Sequence, residues 1–99
     1  MFKIRRTKNF SKKLRKLSEK ERKRILEFEK QLAKEPFQGK PLGFAFFREK
    51  KFDGKRVLYI IYTEEDVVLL TTITNKKSQQ KHIDFAKENF EALKEFIHQ

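Results

Sequence analysis

Apolar residues along this chain change their spacing three times, and each change marks a new kind of element. Residues 1–7 (MFKIRRT) alternate Phe2 and Ile4 with Lys3 and Arg5, the period of a short strand with one buried face. The spacing then becomes helical. Phe10, Leu14 and Leu17 fall on one helix face, behind Asn9 or Ser11 as a cap. Ser18-Glu19-Lys20-Glu21 fits a capping box, in which a hydroxyl and a carboxylate each satisfy an orphan backbone N–H. The pattern therefore predicts two helices, 9–17 and 19–34, rather than one rod. Ile25, Phe28 and Leu32 form the stripe of the second, with Leu26 beside it, and Pro36 stops it. Residues 36–43 (PFQGKPLG) hold both prolines and two of the three glycines and read as a loop. Segments 44–52, 55–63 and 66–74 are rich in aromatic and β-branched residues and read as strands. Asp53-Gly54 is a hairpin signal and Glu64-Glu65 supplies the next tight turn, so the three strands form an antiparallel meander. From about His82 the helical spacing returns in Ile83, Ala86, Phe90, Leu93 and Ile97. The order β-α-α-β-β-β-α predicts one α+β domain over residues 1–99. Its sheet is mainly antiparallel, with an N-terminal helical hairpin, a C-terminal helix and all helices on one sheet face.

Composition narrows what such a domain can do. Thirty of the 99 residues are Leu, Ile, Val or Phe, enough apolar content to fold. The absence of Cys removes disulfides, thiolate metal sites and cysteine nucleophiles together. No apolar run is long enough for a signal peptide or a membrane span, so a soluble, cytoplasmic protein without a membrane role is expected. Lys and Arg number 25 against 14 Asp and Glu, a net charge of +11. Residues 1–24 alone carry 12 basic and 2 acidic side chains. Such density suits a polyanion, because each cation that neutralises a phosphate releases counterions. An acidic protein partner, or plain solvation of Lys-rich helices, accounts for it equally on charge alone.

The familiar hydrolase sets are missing. The two histidines, His82 and His98, stand at a helix entry and in a terminal tail. No HExxH, CxxC or Asp-rich loop is present, so no metal and no cofactor is expected. Of the three serines, Ser11 and Ser18 read as caps, and none, Ser78 included, lies in a nucleophile elbow. The strands offer cations instead. Arg48 and Lys50 share one face of their strand, with Lys51 on the other, and Lys55 and Arg56 open the next strand. Lys76, Lys77 and Lys81 follow the last strand, and Tyr59 and Tyr62 add phenols on opposite faces. On a sheet face left bare by the helices these cations would line a phosphate-binding concavity; otherwise they are ordinary charges on the wet side of a half-exposed sheet. RNA supplies its own nucleophile in the 2′-hydroxyl, so cleaving it needs only positioning, proton transfer and charge stabilisation.

In the order and spacing of these elements the chain resembles the RelE/ParE superfamily of toxins from toxin–antitoxin pairs, over nearly its whole length. The likeness lies in FSKKLRKLSEKERKRILEFEKQL (10–32), in Pro41-Leu42-Gly43, and in FREKKFDGKRVLYIIY (47–62) with Arg48, Arg56 and Tyr59 on recurring positions. The segment ITNKKSQQKHIDFAKENFEALKEF (73–96) is similar to the HigB-like branch through Lys76, Lys77, Gln79 and Ala86. The resemblance implies a RelE-like fold and a metal-independent endoribonuclease, an mRNA interferase that cuts mRNA in the ribosomal decoding site. It also implies a cognate antitoxin as partner, beside ribosome and mRNA. Carried over residue by residue, it assigns catalysis to Arg48, Lys50, Arg56, Lys76 and Lys77, with Lys50 or Lys77 as base and Arg56 as transition-state stabiliser. RNA binding falls to Lys51, Lys55 and Lys81, and Arg5, Arg6, Lys12, Lys13, Arg15 and Lys16 of the basic amino-terminal region are expected to dock on ribosomal RNA or on an acidic partner. The chain departs from the pattern in two places. No Tyr follows Tyr62, where many RelE proteins have a catalytic one, and His82 stands as the alternative acid or as a helix-entry residue. The turn between Arg48 and Arg56 is also one residue longer than the usual pattern. A ParE-like topoisomerase poison and a catalytically degenerate RNA-binding RelE-fold protein are the competing readings. Phe37, Phe44 and Phe46 belong either to the core or to a partner groove.

Overall fold

The structure, a computed structural model, describes residues 1–98. The side chain of His98, expected in a terminal tail, lies outside the described residues. The elements are β1 (Lys3–Arg6), α1 (Lys8–Arg15), α2 (Glu19–Lys34), a 3₁₀ turn (Pro36–Gln38), β2 (Lys40–Phe44), β3 (Phe47–Phe52), β4 (Lys55–Tyr62), β5 (Val67–Asn75), α3 (Gln79–Glu88) and a 3₁₀ segment (Ala92–His98). The capping box forms as expected: Glu21 N–H donates to Ser18 Oγ, while Ser18 N–H donates to the Glu21 carboxylate. The cap of α1 is Thr7 rather than Asn9 or Ser11. Its hydroxyl accepts from Phe10 N–H and donates to Thr71 C=O, so one side chain starts the helix and ties it to β5.

Five strands form one mixed sheet in the order β1-β5-β4-β3-β2. The expected meander is present as β3, β4 and β5, joined antiparallel. Two strand assignments need correction. Lys40–Phe44, read as loop, is an edge strand paired antiparallel to β3, and the predicted strand 44–52 is split by a turn at Ala45-Phe46. An edge position explains this, since Pro41 needs no ladder donor there and Gly43, with φ +90°, sits where the register shifts. β1 pairs with β5 in parallel, Lys3 opposite Val67 through Arg6 opposite Leu70.

The helices do not share one face. Phe10 and Leu14 of α1 and Ile25, Phe28 and Leu32 of α2 pack with Val57, Tyr59, Ile61, Val68 and Leu70 on one side of the sheet. Ile83 and Ala86 of α3, with Leu93 and Ile97, pack with Leu58, Ile60 and Leu69 on the other. No bare sheet face remains for a cationic concavity. α1 lies against β5 while α2 leans on β1 and the 3₁₀ turn, so the first two helices do not close on each other as a hairpin. The C-terminal stripe is buried as expected, but α3 stops at Asn89, whose backbone leaves the helical region, and the stripe continues through a 3₁₀ segment. A bulge at Thr71 flips β5 so that Leu70 and Ile73 face the same side. Thr72 and Thr74 thereby turn toward α3.

Candidate functional site

Strand parity and the two-residue turn at Asp53-Gly54, both at positive φ, fix which cations meet. Lys51 is opposite Arg56 in the ladder. Both share the α3 side of the sheet with Glu49, which the sequence reading passed over. Glu49 is buried, and its Oε2 lies 4.0 Å from Arg56 Nε, whose guanidinium side chain is only 12% exposed. Gln79, in the first turn of α3, donates to the same Glu49 oxygen. Arg56 Nε is buried and makes no hydrogen bond, and among the described residues Glu49 is the one carboxylate beside it. Lys76 and Lys77 are exposed in the turn from β5 to α3, at the same end of the sheet. Thr74 and Ser78 join hydroxyls at 2.8 Å across that turn.

A second polar cluster lies where α1, β5 and α3 approach. Lys13 Nζ donates to Thr72 Oγ1 at 2.9 Å and faces His82 Nε2 at 3.4 Å. Thr72 Oγ1 in turn donates to Asn9 Oδ1 at 2.6 Å. An ammonium can only donate, so with Lys13 charged His82 Nε2 is the acceptor, and a neutral ring then carries its proton on Nδ1. Burial, and then the positive charges of Lys13 and Lys81, hold His82 below the usual histidine range. Burial followed by repulsion from Lys81 and Lys16 lowers Lys13 as well. These are two groups of shifted proton affinity in direct contact. A groove of about 470 Å³ runs from Lys13 past Lys16, Thr74, Asn75 and Ser78 to Lys55 and the Asp53-Gly54 turn. Leu17, Ile73 and the lysine stems make its walls mostly apolar, with ammonium and hydroxyl groups among them that can meet phosphate oxygens.

Other expected site residues lie elsewhere. Arg48, Lys50 and Lys55 occupy the α2 side of the sheet. Arg48 donates to the carbonyls of Gly39 (2.6 Å) and Ala45 (2.7 Å) and covers the Phe37 ring, so it clasps the β2–β3 turn. Lys50 lies over Phe28, and Lys55 bonds Glu21 at 2.7 Å. Arg6 makes a two-pronged pair with Glu29, at 2.6 and 2.8 Å, and Arg5 donates to Ile4 C=O. Lys12, Arg15 and Lys16 of α1, and Lys81 of α3, are exposed. Lys13 and His82 are therefore brought together, as are Lys51 and Arg56, while Arg48 and Lys50 are separated from both pairs by the sheet. Among the described residues, no three His, Asp or Glu side chains gather as metal ligands, and no helix is long and apolar enough to cross a membrane.

No protein-family model and no curated protein matches the chain. Solved structures do match its fold. Against the isolated E. coli RelE toxin the TM-score is 0.68 at 19% identity, over 76% of this chain and 84% of that one. A chain of the RelBE2 toxin–antitoxin complex of Mycobacterium tuberculosis gives 0.66 at 26% identity, over 76% and 98%. A chain of the archaeal RelE–RelB complex from Pyrococcus horikoshii OT3 gives 0.66 at 20%, over 76% and 94%. The chain thus has the fold of the RelE toxins.

Proposed function

We propose that this chain is the toxin of a toxin–antitoxin pair and that it cleaves mRNA on the ribosome without a metal. The observation that carries the reading is a RelE fold in which Lys13, in contact with Thr72 and His82, lines a groove that also holds Lys16, Lys55, Thr74 and Ser78. In this reaction the 2′-oxygen attacks the adjacent phosphorus and the 5′-oxygen leaves. One proton is taken from the 2′-hydroxyl and one is given to the leaving oxygen, producing a 2′,3′-cyclic phosphate and a 5′-hydroxyl end. Lys13 and His82 are the pair suited to move those protons, since they are in contact and burial beside other cations lowers the proton affinity of both. Lys51, Lys76 and Lys77 hold the flanking phosphates, with Lys77 as the remaining candidate base from the strand-and-turn lysines. Arg56, clamped by Glu49, supplies fixed positive charge beneath the reacting phosphate.

The solved neighbours from M. tuberculosis and P. horikoshii are toxin–antitoxin complexes, which supports a cognate antitoxin as the partner. The test is inducible expression followed by mapping of transcript 5′ ends in translating ribosomes. Wild type should arrest growth and cut mRNA, with relief by a neighbouring antitoxin. Lys13→Ala and His82→Ala should each lower cleavage by about 100-fold or more, the range of a lost general acid or base, while the melting temperature stays within a few degrees. Undiminished cleavage in both variants overturns the site. Intact transcripts with inhibited gyrase supercoiling would replace the reading by the topoisomerase-poison one.

A further inference from the structure

Beside Lys13, and sharing Thr72 and His82 with its cluster, lies a pocket whose apolar interior the cleavage chemistry does not use. It is about 330 Å³ in volume, between the first turn of α1, the β5 bulge and the α3 segment. Its walls are aromatic and aliphatic, chiefly Phe85, Phe96, Ala86 and Leu93, and its rim carries Lys8, Lys81, Asn9 and His82. Phe85 is 57% exposed although it is among the largest apolar side chains on α3. Around it the surface is basic, since Lys8 and Lys81 are exposed and Lys13 stands behind His82. An apolar slot ringed by cations suits a flat aromatic group joined to an anion.

The polar atoms at the rim sharpen that description. Asn9 Oδ1 is occupied by Thr72, leaving the amide N–H groups of Asn9 without a protein partner among the described residues. In the tautomer that accepts from Lys13, His82 Nδ1–H also has no protein partner among them. Both are donors, matched to the ring nitrogens and carbonyl oxygens at a base edge. Single-stranded RNA is held in this way elsewhere in nature, its unstacked bases lying on aromatic side chains while lysines follow the backbone. We infer that this pocket is a nucleobase subsite. It takes one unstacked base of the RNA strand whose phosphate lies at Lys13 and Lys81, and so helps choose where the strand is placed. This inference rests on the RNA-cleavage reading and names a substrate contact within it.

The experiment compares full-length protein binding to a short single-stranded oligoribonucleotide and to the same oligomer with abasic sites, at low salt. Wild type should bind the base-bearing strand more tightly by about 5- to 150-fold, the range of a base–aromatic stack. Phe85→Ala, a truncation at an exposed position, should lower affinity for the base-bearing strand toward that of the abasic one, and Phe85→Tyr should restore it. Affinity for the abasic strand should stay unchanged in both variants. Equal binding of the two strands by wild type, or no effect of Phe85→Ala, overturns the subsite and leaves the cleavage reading standing. Failure to bind either strand also overturns the subsite, while the cleavage reading is judged separately by transcript cutting in translating ribosomes.

Discussion

A hydroxyl at Tyr59 joins three segments that the chain visits separately. Its ring is fully buried and packs edge-on against Phe28 of α2. Its O–H donates to Pro36 C=O and accepts from Gly39 N–H, both at 3.0 Å, so β4 holds both ends of the 3₁₀ turn. A methyl group on Gly39 would lie 2.4 Å from Glu49 C=O and 2.5 Å from that same hydroxyl, which explains the glycine by space. Tyr59→Phe leaves a donor and an acceptor unsatisfied and should cost about 1–3 kcal/mol, measured as a shift of the urea midpoint at constant slope. His82 carries a different signature. Its folded affinity for protons is below its unfolded one, so the unfolded chain binds more protons once pH falls below about 6.5. The stability associated with neutral His82 is therefore present above that value and lost as pH falls through the lower, folded pKa. Between about pH 7.5 and about pH 5.5, wild type should lose more stability than His82→Gln, as read by urea midpoints at the two values. Equal losses would mean that the cationic surroundings do not act on this ring.

At the scale of elements, the start of α2 is a junction rather than a simple cap. One oxygen of Glu21 completes the capping box with Ser18, and the other bonds Lys55 at the head of β4. The helix N-terminus, favoured by carboxylates, is fastened to the strand that also carries Arg56. Ser18→Ala should destabilise the protein by about 0.5–2 kcal/mol, seen as a lower melting temperature, with α1 left in place because Thr7 caps it independently. The pairing of Lys51 with Arg56 is derivable from the Asp-Gly turn, although the family resemblance groups Arg56 with Arg48 and Lys50 of the opposite face. A two-residue Asp-Gly turn determines the register, and the register determines the faces. Applied one step further, the same parity would have put Glu49 beside Arg56 and exposed the buried ion pair. β2 was not legible, because Pro41 and Gly43 carry loop signals that only an edge position tolerates.

For the whole molecule, the missed feature was the second covered face. VLYIIY and VVLL run without polar alternation, and a strand buried on both faces reads that way. That signal was present and outweighed by the expectation of a half-wet meander. The cation clusters around His82 were beyond the sequence for another reason. Lys13, Thr72 and His82 are brought together by the Thr71 bulge and by contacts spanning most of the chain, and no local pattern encodes either.

The parallel β1–β5 pair has a consequence for the order of events. Lys3 to Arg6 find their ladder partners only at Val67 to Leu70. During synthesis, β1 leaves the ribosome before β5 and must wait for that strand before it has anything to pair with. The loop closed by that pairing is among the costliest in the fold, because closure entropy grows with the length enclosed. Of the five strands, the one made first is thus settled late, and the sheet stays open at that edge until β5 has been made.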